Sequence, residues 1–155
     1  EFPANLAMRI DAKALGRARE LQQSIATTSD VAAVCREYWS IMTPPRVAKS
    51  LDAKVVKSDL CAPPPAAIRY GMTKTLPATF ASLGDWNWTP DLKNVNVPTL
   101  IIHGEEDAIP MAMVEEWATS MPNARMIRMP ETAHFPHAER PEVVFRAIEA
   151  FIKEK

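Results

Sequence analysis

Glycine is scarce in this chain: only Gly16, Gly71, Gly84 and Gly104 occur among 155 residues, and no G-x-S-x-G run exists. That absence excludes a strand-to-helix elbow presenting a nucleophilic serine. The two cysteines, Cys35 and Cys61, are too few for a disulfide framework and lack metal-ligand spacing. Cys35 falls on an apolar helical face and reads as a buried, inert thiol. Neither charge sign dominates: 18 basic residues stand against 19 acidic ones, with no basic run, which speaks against nucleic acid or an anionic membrane as partner. No apolar run approaches a membrane span, and no basic segment followed by an apolar one opens the sequence, so a cytoplasmic protein is expected. No cofactor or metal fingerprint is present, and none is expected to bind. What is present is a 47% hydrophobic composition, enough for one moderate core in one or two compact units. Glu1-Phe2 has the form of a cloning-site junction, which suggests a piece of a longer protein.

Along the chain, Ala14, Leu15, Ala18, Leu21 and Ile25 recur at helical spacing between Asp11 and Thr27. Ser29 or Asp30 then offers an N-cap for a second helix, with Val31, Val34, Cys35, Tyr38, Trp39 and Met42 on one apolar face that ends at Pro44-Pro45. The proline-rich stretch from Pro44 to Pro65 reads as a long connection. A third helix is predicted from Pro63–Pro65 through Ile68, Tyr70 and Met72, with Pro77 breaking or restarting it. Ser82 to Pro90 combines a glycine turn with two exposed-looking tryptophans, Trp86 and Trp88.

At Leu92 the pattern changes. Pro98 to Ile102 is a short continuous apolar run that suits a parallel strand buried on both faces. A helix opening at Pro110 carries Met113, Val114, Trp117 and Ala118, and Met121-Pro122-Asn123 closes it. Ala124 to Met129 reads as a second strand. From Pro141 a last helix presents Val144, Phe145, Ile148, Phe151 and Ile152 as a core-facing stripe, with Lys153 and Lys155 at its dipole-negative end. This β-α-β-α order predicts parallel strands joined by a right-handed helical crossover.

The run Val97-Pro-Thr-Leu-Ile-Ile-His-Gly-Glu-Glu-Asp107-Ala-Ile-Pro110, answered by Pro130-Glu-Thr-Ala-His134-Phe-Pro-His137, puts an acid and a histidine in consecutive strand-end loops. Loops at the carboxyl ends of parallel strands are where reactive groups collect. A carboxylate there can accept a hydrogen bond from the imidazole Nδ1–H, fix the tautomer, and leave Nε2 to exchange a proton with a nucleophile. Asp107 and His134 are therefore the candidate catalytic pair. The capping alternative for Asp107, at the helix beginning near Pro110, is compatible with that role.

The same residues, with Pro122-Asn-Ala-Arg and Glu139-Arg-Pro-Glu, resemble the C-terminal portion of an α/β-hydrolase-fold protein. The upstream pieces Tyr-Trp-Ser-Ile-Met-Thr-Pro-Pro, Pro-Pro-Ala-Ala-Ile-Arg-Tyr-Gly and Ser-Leu-Gly-Asp-Trp-Asn-Trp resemble the helical cap of proline-iminopeptidase-like members. The resemblance implies an α/β fold class, with residues 1–90 a helical cap or lid and residues 91–155 the end of the hydrolase core, carrying the last two strands of a larger sheet. It implies Asp107 as triad acid, His134 as triad base, and a small ester or peptide substrate in the parent protein. The family's serine elbow and oxyanion loop lie upstream of the cap, so this chain is expected to be inactive alone. Ala133 stands where the family usually has glycine.

Other residues read more plainly. His103 is a positioned structural histidine, His137 loop surface, and Glu105 and Glu106 solvated loop charges. Tyr38, Trp39, Trp86 and Trp88 are read as core before pocket. Glu20 and Glu37 carry no assignment, and nothing places Ser82 beside His134. The apolar edge of the first strand needs a cover, which is a missing N-terminal hydrolase half, a second copy of the chain or the cap helices collapsed onto it, and self-association as a dimer is expected. The alternative function is a non-catalytic binding or self-associating module.

Overall fold

The computed structural model describes residues 2–84 and 86–154, so Glu1 of the junction, Asp85 of the tryptophan-bearing turn and Lys155 at the last helix's end lie outside it. The chain divides into two compact units, one of residues 7–45 and 58–86, the other of residues 1–6, 46–57 and 87–155.

The first unit is helical. Helix α2 (Ala12–Ser24) starts where the Asp11 carboxylate accepts the Ala14 N–H, and α3 (Val31–Met42) starts where Asp30 accepts from Ala33, so of the two caps offered by the sequence Asp30 is used. Each cap satisfies an amide that the helix cannot pair internally and contributes about 1 kcal/mol. Ile25, Val31, Cys35, Cys61 and Ile68 form the core, with Val34, Trp39 and Met72 packed against it. Cys35 is as buried as expected, at 1% exposed, but it is no free thiol: it forms a disulfide with Cys61. The pairing was invisible in spacing because the proline-rich chain returns to α3 across 26 residues.

Helix α4 (Pro65–Tyr70) passes into a wider turn at Gly71–Thr75, and α5 (Leu76–Leu83) follows. Pro77 restarts the helix, as expected: it has no N–H to donate back, and the Leu76 N–H bonds Gly71 five residues earlier, widening the turn before the ring. Gly84 closes α5 at φ 55° and ψ −149°, a region that side chains rarely enter.

In the second unit α1 (Phe2–Ala7), which periodicity did not predict, buries Leu6 and donates from Asn5 Nδ2 to the Ala108 carbonyl at 2.9 Å. The stretch of residues 44–65, expected as bare connection, holds two single 3₁₀ turns, Pro44–Arg46 and Ala53–Val55, and its residues 46–57 belong to this unit. Short α6 (Thr89–Leu92) precedes strand β1 (Thr99–Gly104), then α7 (Met111–Ser120), β2 (Ala124–Met129), α8 (Pro136–Glu139) and α9 (Pro141–Lys153). The strands pair in parallel from Thr99↔Ala124 to Gly104↔Met129, confirming the β-α-β-α order.

Two expectations about burial fail here. Residues Thr99–Ile102 of β1 are only half-buried, since among the described residues the sheet has two strands and β1 has one neighbour. The stripe of α9 is likewise only partly covered: Val144 is 5% exposed, but Phe145 is 54% and Ile152 61% exposed. A helix this amphipathic needs a wider apolar floor than two strands offer.

Candidate active site

Parallel pairing brings the carboxyl ends of β1 and β2 side by side, and the two loops that leave them are stitched together. The Glu105 N–H donates to the Met129 carbonyl and the Glu106 N–H to the Thr132 carbonyl, both at 2.9 Å. Gly104 permits this approach. A Cβ there would lie 2.3 Å from the Thr132 carbonyl oxygen and 2.4 Å from that of Ala133, so any side chain would force the loops apart.

Across this seam His134 Nδ1 lies 3.0 Å from Asp107 Oδ2 and 3.2 Å from Oδ1. Since an ionised carboxylate only accepts, Nδ1 carries the proton, and in the neutral ring Nε2 then holds the lone pair. The Asp107 side chain is 5% exposed and that of His134 31%, an inner acid and an outer base. Asp107 also accepts the Ile109 N–H at 3.0 Å, so the capping role at the start of the next turn coexists with the pairing. Burial pushes the Asp107 carboxyl up, but hydrogen bonds from His134 and Ile109 and the proximity of both imidazoles outweigh it, holding it below the ordinary carboxylate value.

The second imidazole is His103. Buried at 7% exposed, it donates Nε2–H to the Ile109 carbonyl at 3.1 Å and turns Nδ1 toward Asp107 at 3.9 Å, a structural placement as the sequence suggested. His137 is exposed and makes a T-shaped ring contact with Phe135. Glu105 is exposed, whereas Glu106 is not simply solvated: its carboxylate accepts the Lys49 N–H at 2.9 Å. Glu139 carries no role in the sequence reading, yet it is buried at 5% exposed beside the His134 loop.

In the helical unit, Glu37 and Glu20 converge on Arg17 at 2.6 and 3.3 Å, and the Arg17 hydrogen bond lowers the Glu37 carboxyl. The Ser82 hydroxyl donates to the Thr79 carbonyl at 2.8 Å. Trp39 both packs on the core and lines an apolar groove of about 300 Å³ with Leu60, Pro63, Ile68 and Met72, while Trp86 and Trp88 are exposed.

A profile of the alpha/beta hydrolase family matches residues 6–147. The chain belongs to the alpha/beta hydrolase family. Within it, a pimeloyl-[acyl-carrier protein] methyl ester esterase of Aromatoleum aromaticum is 33% identical over 97 residues, covering 62% of this chain and 35% of the esterase. The uncharacterized hydrolase YugF of Bacillus subtilis is 40% identical over 63 residues, covering 40% of this chain and 23% of YugF. Among solved structures, a thermophilic esterase from Thermogutta terrifontis aligns with TM-score 0.60 and 21% identity over 93% of this chain and 51% of its own. Proline iminopeptidase of Mycobacterium smegmatis aligns with TM-score 0.54 and 20% identity over 99% and 51%. The alpha/beta hydrolase chain described here thus spans about half the length of these structures, and its matched segments cover about a third or less of the two sequence relatives. Such half-length coverage agrees with a partial hydrolase fold, a parallel two-stranded sheet among many helices.

Proposed function

We propose that this chain supplies the acid and base of a serine hydrolase, with Asp107 and His134 as its catalytic residues, and that it does not hydrolyse substrate by itself. The Asp107–His134 Nδ1 hydrogen bond of 3.0 Å on adjacent strand-end loops carries this reading. In operation His134 Nε2 takes the proton of a serine hydroxyl as its oxygen attacks the carbonyl carbon. Asp107 stabilises the imidazolium, and the proton then passes to the departing alcohol or amine. The serine and its oxyanion donors belong to an N-terminal hydrolase half, because no G-x-S-x-G occurs among these 155 residues. A small ester is favoured over an N-terminal prolyl amide, since the 33%-identical relative is a methyl ester esterase.

The test is hydrolysis of a p-nitrophenyl ester and a prolyl chromogenic amide by the chain alone and mixed with a separately expressed hydrolase half bearing the serine elbow. Activity only in the mixture, lost in His134→Ala, is expected. Turnover by the chain alone would sink the proposal.

The second reading, a self-associating or binding module, is favoured by one observation, the apolar surface left open by α9 at Phe145 and Ile152. Its self-associating form predicts a dimer, and a monomer in sedimentation at micromolar concentration removes that form. Among the described residues no helix is long and apolar enough to cross a membrane. For a cytoplasmic home, the reading from the sequence, Cys35 and Cys61 would have to stand as thiols in the cell, because that compartment keeps most cysteines reduced. Thiol alkylation before lysis, read by mass, decides the compartment.

A further inference from the structure

We infer that Glu139 is the positioning residue of the base, a buried carboxylate that seats His134 by holding the backbone on both sides of it. This rests on the acid–base reading of Asp107 and His134. Glu139 ends the single turn α8, five residues after the histidine, and is 5% exposed. Its Oε1 accepts the Phe135 N–H at 2.9 Å, and its Oε2 accepts the Ala133 N–H at 2.9 Å and the Ala48 N–H at 3.0 Å. The N–H of His134 itself donates to the Arg46 carbonyl at 3.0 Å. Three consecutive amides, those of residues 133, 134 and 135, are therefore fixed, two by one carboxylate and the third by the segment that the same carboxylate grips.

A carboxylate left in the interior without partners is strongly unfavourable, and backbone amides are the donors that make this one tolerable. The arrangement also has a directional result. The imidazole hangs from a backbone that can twist at neither 133 nor 135 without breaking a charge-assisted bond, so the Cα–Cβ direction of His134 is held and Nδ1 keeps its reach to Asp107. Glutamine has the same shape but only one accepting atom, and its amide would turn a donor against one of the three N–H groups. Glu139→Gln is thus the informative substitution.

The His134 ring is observed directly in the unsubstituted chain by ¹H–¹⁵N NMR, following the Nδ1 proton that Asp107 holds and its exchange with water. A resonance is expected that disappears in Asp107→Ala. In Glu139→Gln it should broaden away or exchange at least about tenfold faster, because local opening then exposes it. Val144→Ala, which removes packing at a residue 5% exposed without touching the carboxylate, should leave the exchange rate in place. Unchanged shift and exchange in Glu139→Gln, or equal acceleration in Val144→Ala, would overturn the assignment while leaving the acid–base pair intact. No Asp107-dependent resonance in the unsubstituted chain would sink the pair itself, and the seat with it. If Glu139→Gln does not fold, hydrogen exchange in the unsubstituted chain decides: the Ala48, Ala133 and Phe135 amides should open together with the imidazole proton. An imidazole proton that exchanges while those amides stay protected refutes the proposal.

Discussion

Asp107 is asked to be charged in a place that water scarcely reaches, and the groups around it set the pH at which it gives way. Its carboxyl lies below the ordinary value in the folded chain. A lowered folded value means that its ionised form contributes stability that is fully present above the unfolded value and is lost as pH falls through the folded one. The urea midpoint of the unsubstituted chain should therefore fall more steeply than that of Asp107→Asn as pH drops from about 5 to about 3. Parallel slopes for the two proteins would contradict this. The pairing of Asp107 with His134 was legible in the sequence because both residues sit in recognisable strand-end loops. Glu139 and Gly104 were not, since one acts on backbone amides and the other by having no side chain. Nothing in residue spacing separates buried Glu139 from exposed Glu142 three positions later. The same holds for Glu106, whose partner, the Lys49 N–H, lies 57 residues away.

Among the elements, helices with a capping acid and an apolar period were the easiest to read, as α2 and α3 show with Asp11 and Asp30 at their starts. Strands β1 and β2 were found by their apolar runs and fall within a residue or two of expectation. Their burial was overestimated, because a continuous apolar run records the sheet it suits and not how many neighbours it has. Short α1 and α6 escaped because a single turn or two has no period to detect. Helix α3 is held by more than packing, since Cys35 in its second turn is bonded to Cys61 across 26 residues. Closing a loop of that length restrains the unfolded chain by about 3.5 kcal/mol on the chain-entropy model. Cys35→Ser with Cys61→Ser should lower the unfolding free energy by about that amount, read by urea denaturation under non-reducing conditions. Equal stability of the two proteins would show that the bond adds no net constraint.

On the scale of the whole molecule, the family and the β-α-β-α order were legible from residues 91–155, whereas the grouping of residues 46–57 was not. The reason is physical: residues 46–57 pack with the C-terminal unit, although their proline-rich sequence marks only a departure from helix. The uncovered apolar face of α9 has a direct test. Phe145→Glu with Ile152→Lys changes residues that are 54% and 61% exposed, so stability should shift by less than about 1 kcal/mol while any self-association weakens. Sedimentation equilibrium of both proteins reads the second effect and thermal melting the first. A large loss of stability would mean that these side chains are covered in the folded chain.

The division into units also bears on how the protein can be taken apart. The backbone passes between the two units four times, after residues 6, 45, 57 and 86. Helical and sheet-bearing units therefore cannot be parted by trimming either terminus. The disulfide encloses two of the four passages, since residues 46–57 lie between Cys35 and Cys61. A protease cut inside that ring leaves a single covalent particle until the sulfurs are reduced. To obtain the helical unit alone, a gene would have to splice residue 45 directly to residue 58, and the bond between Cys35 and Cys61 would then close a far smaller ring.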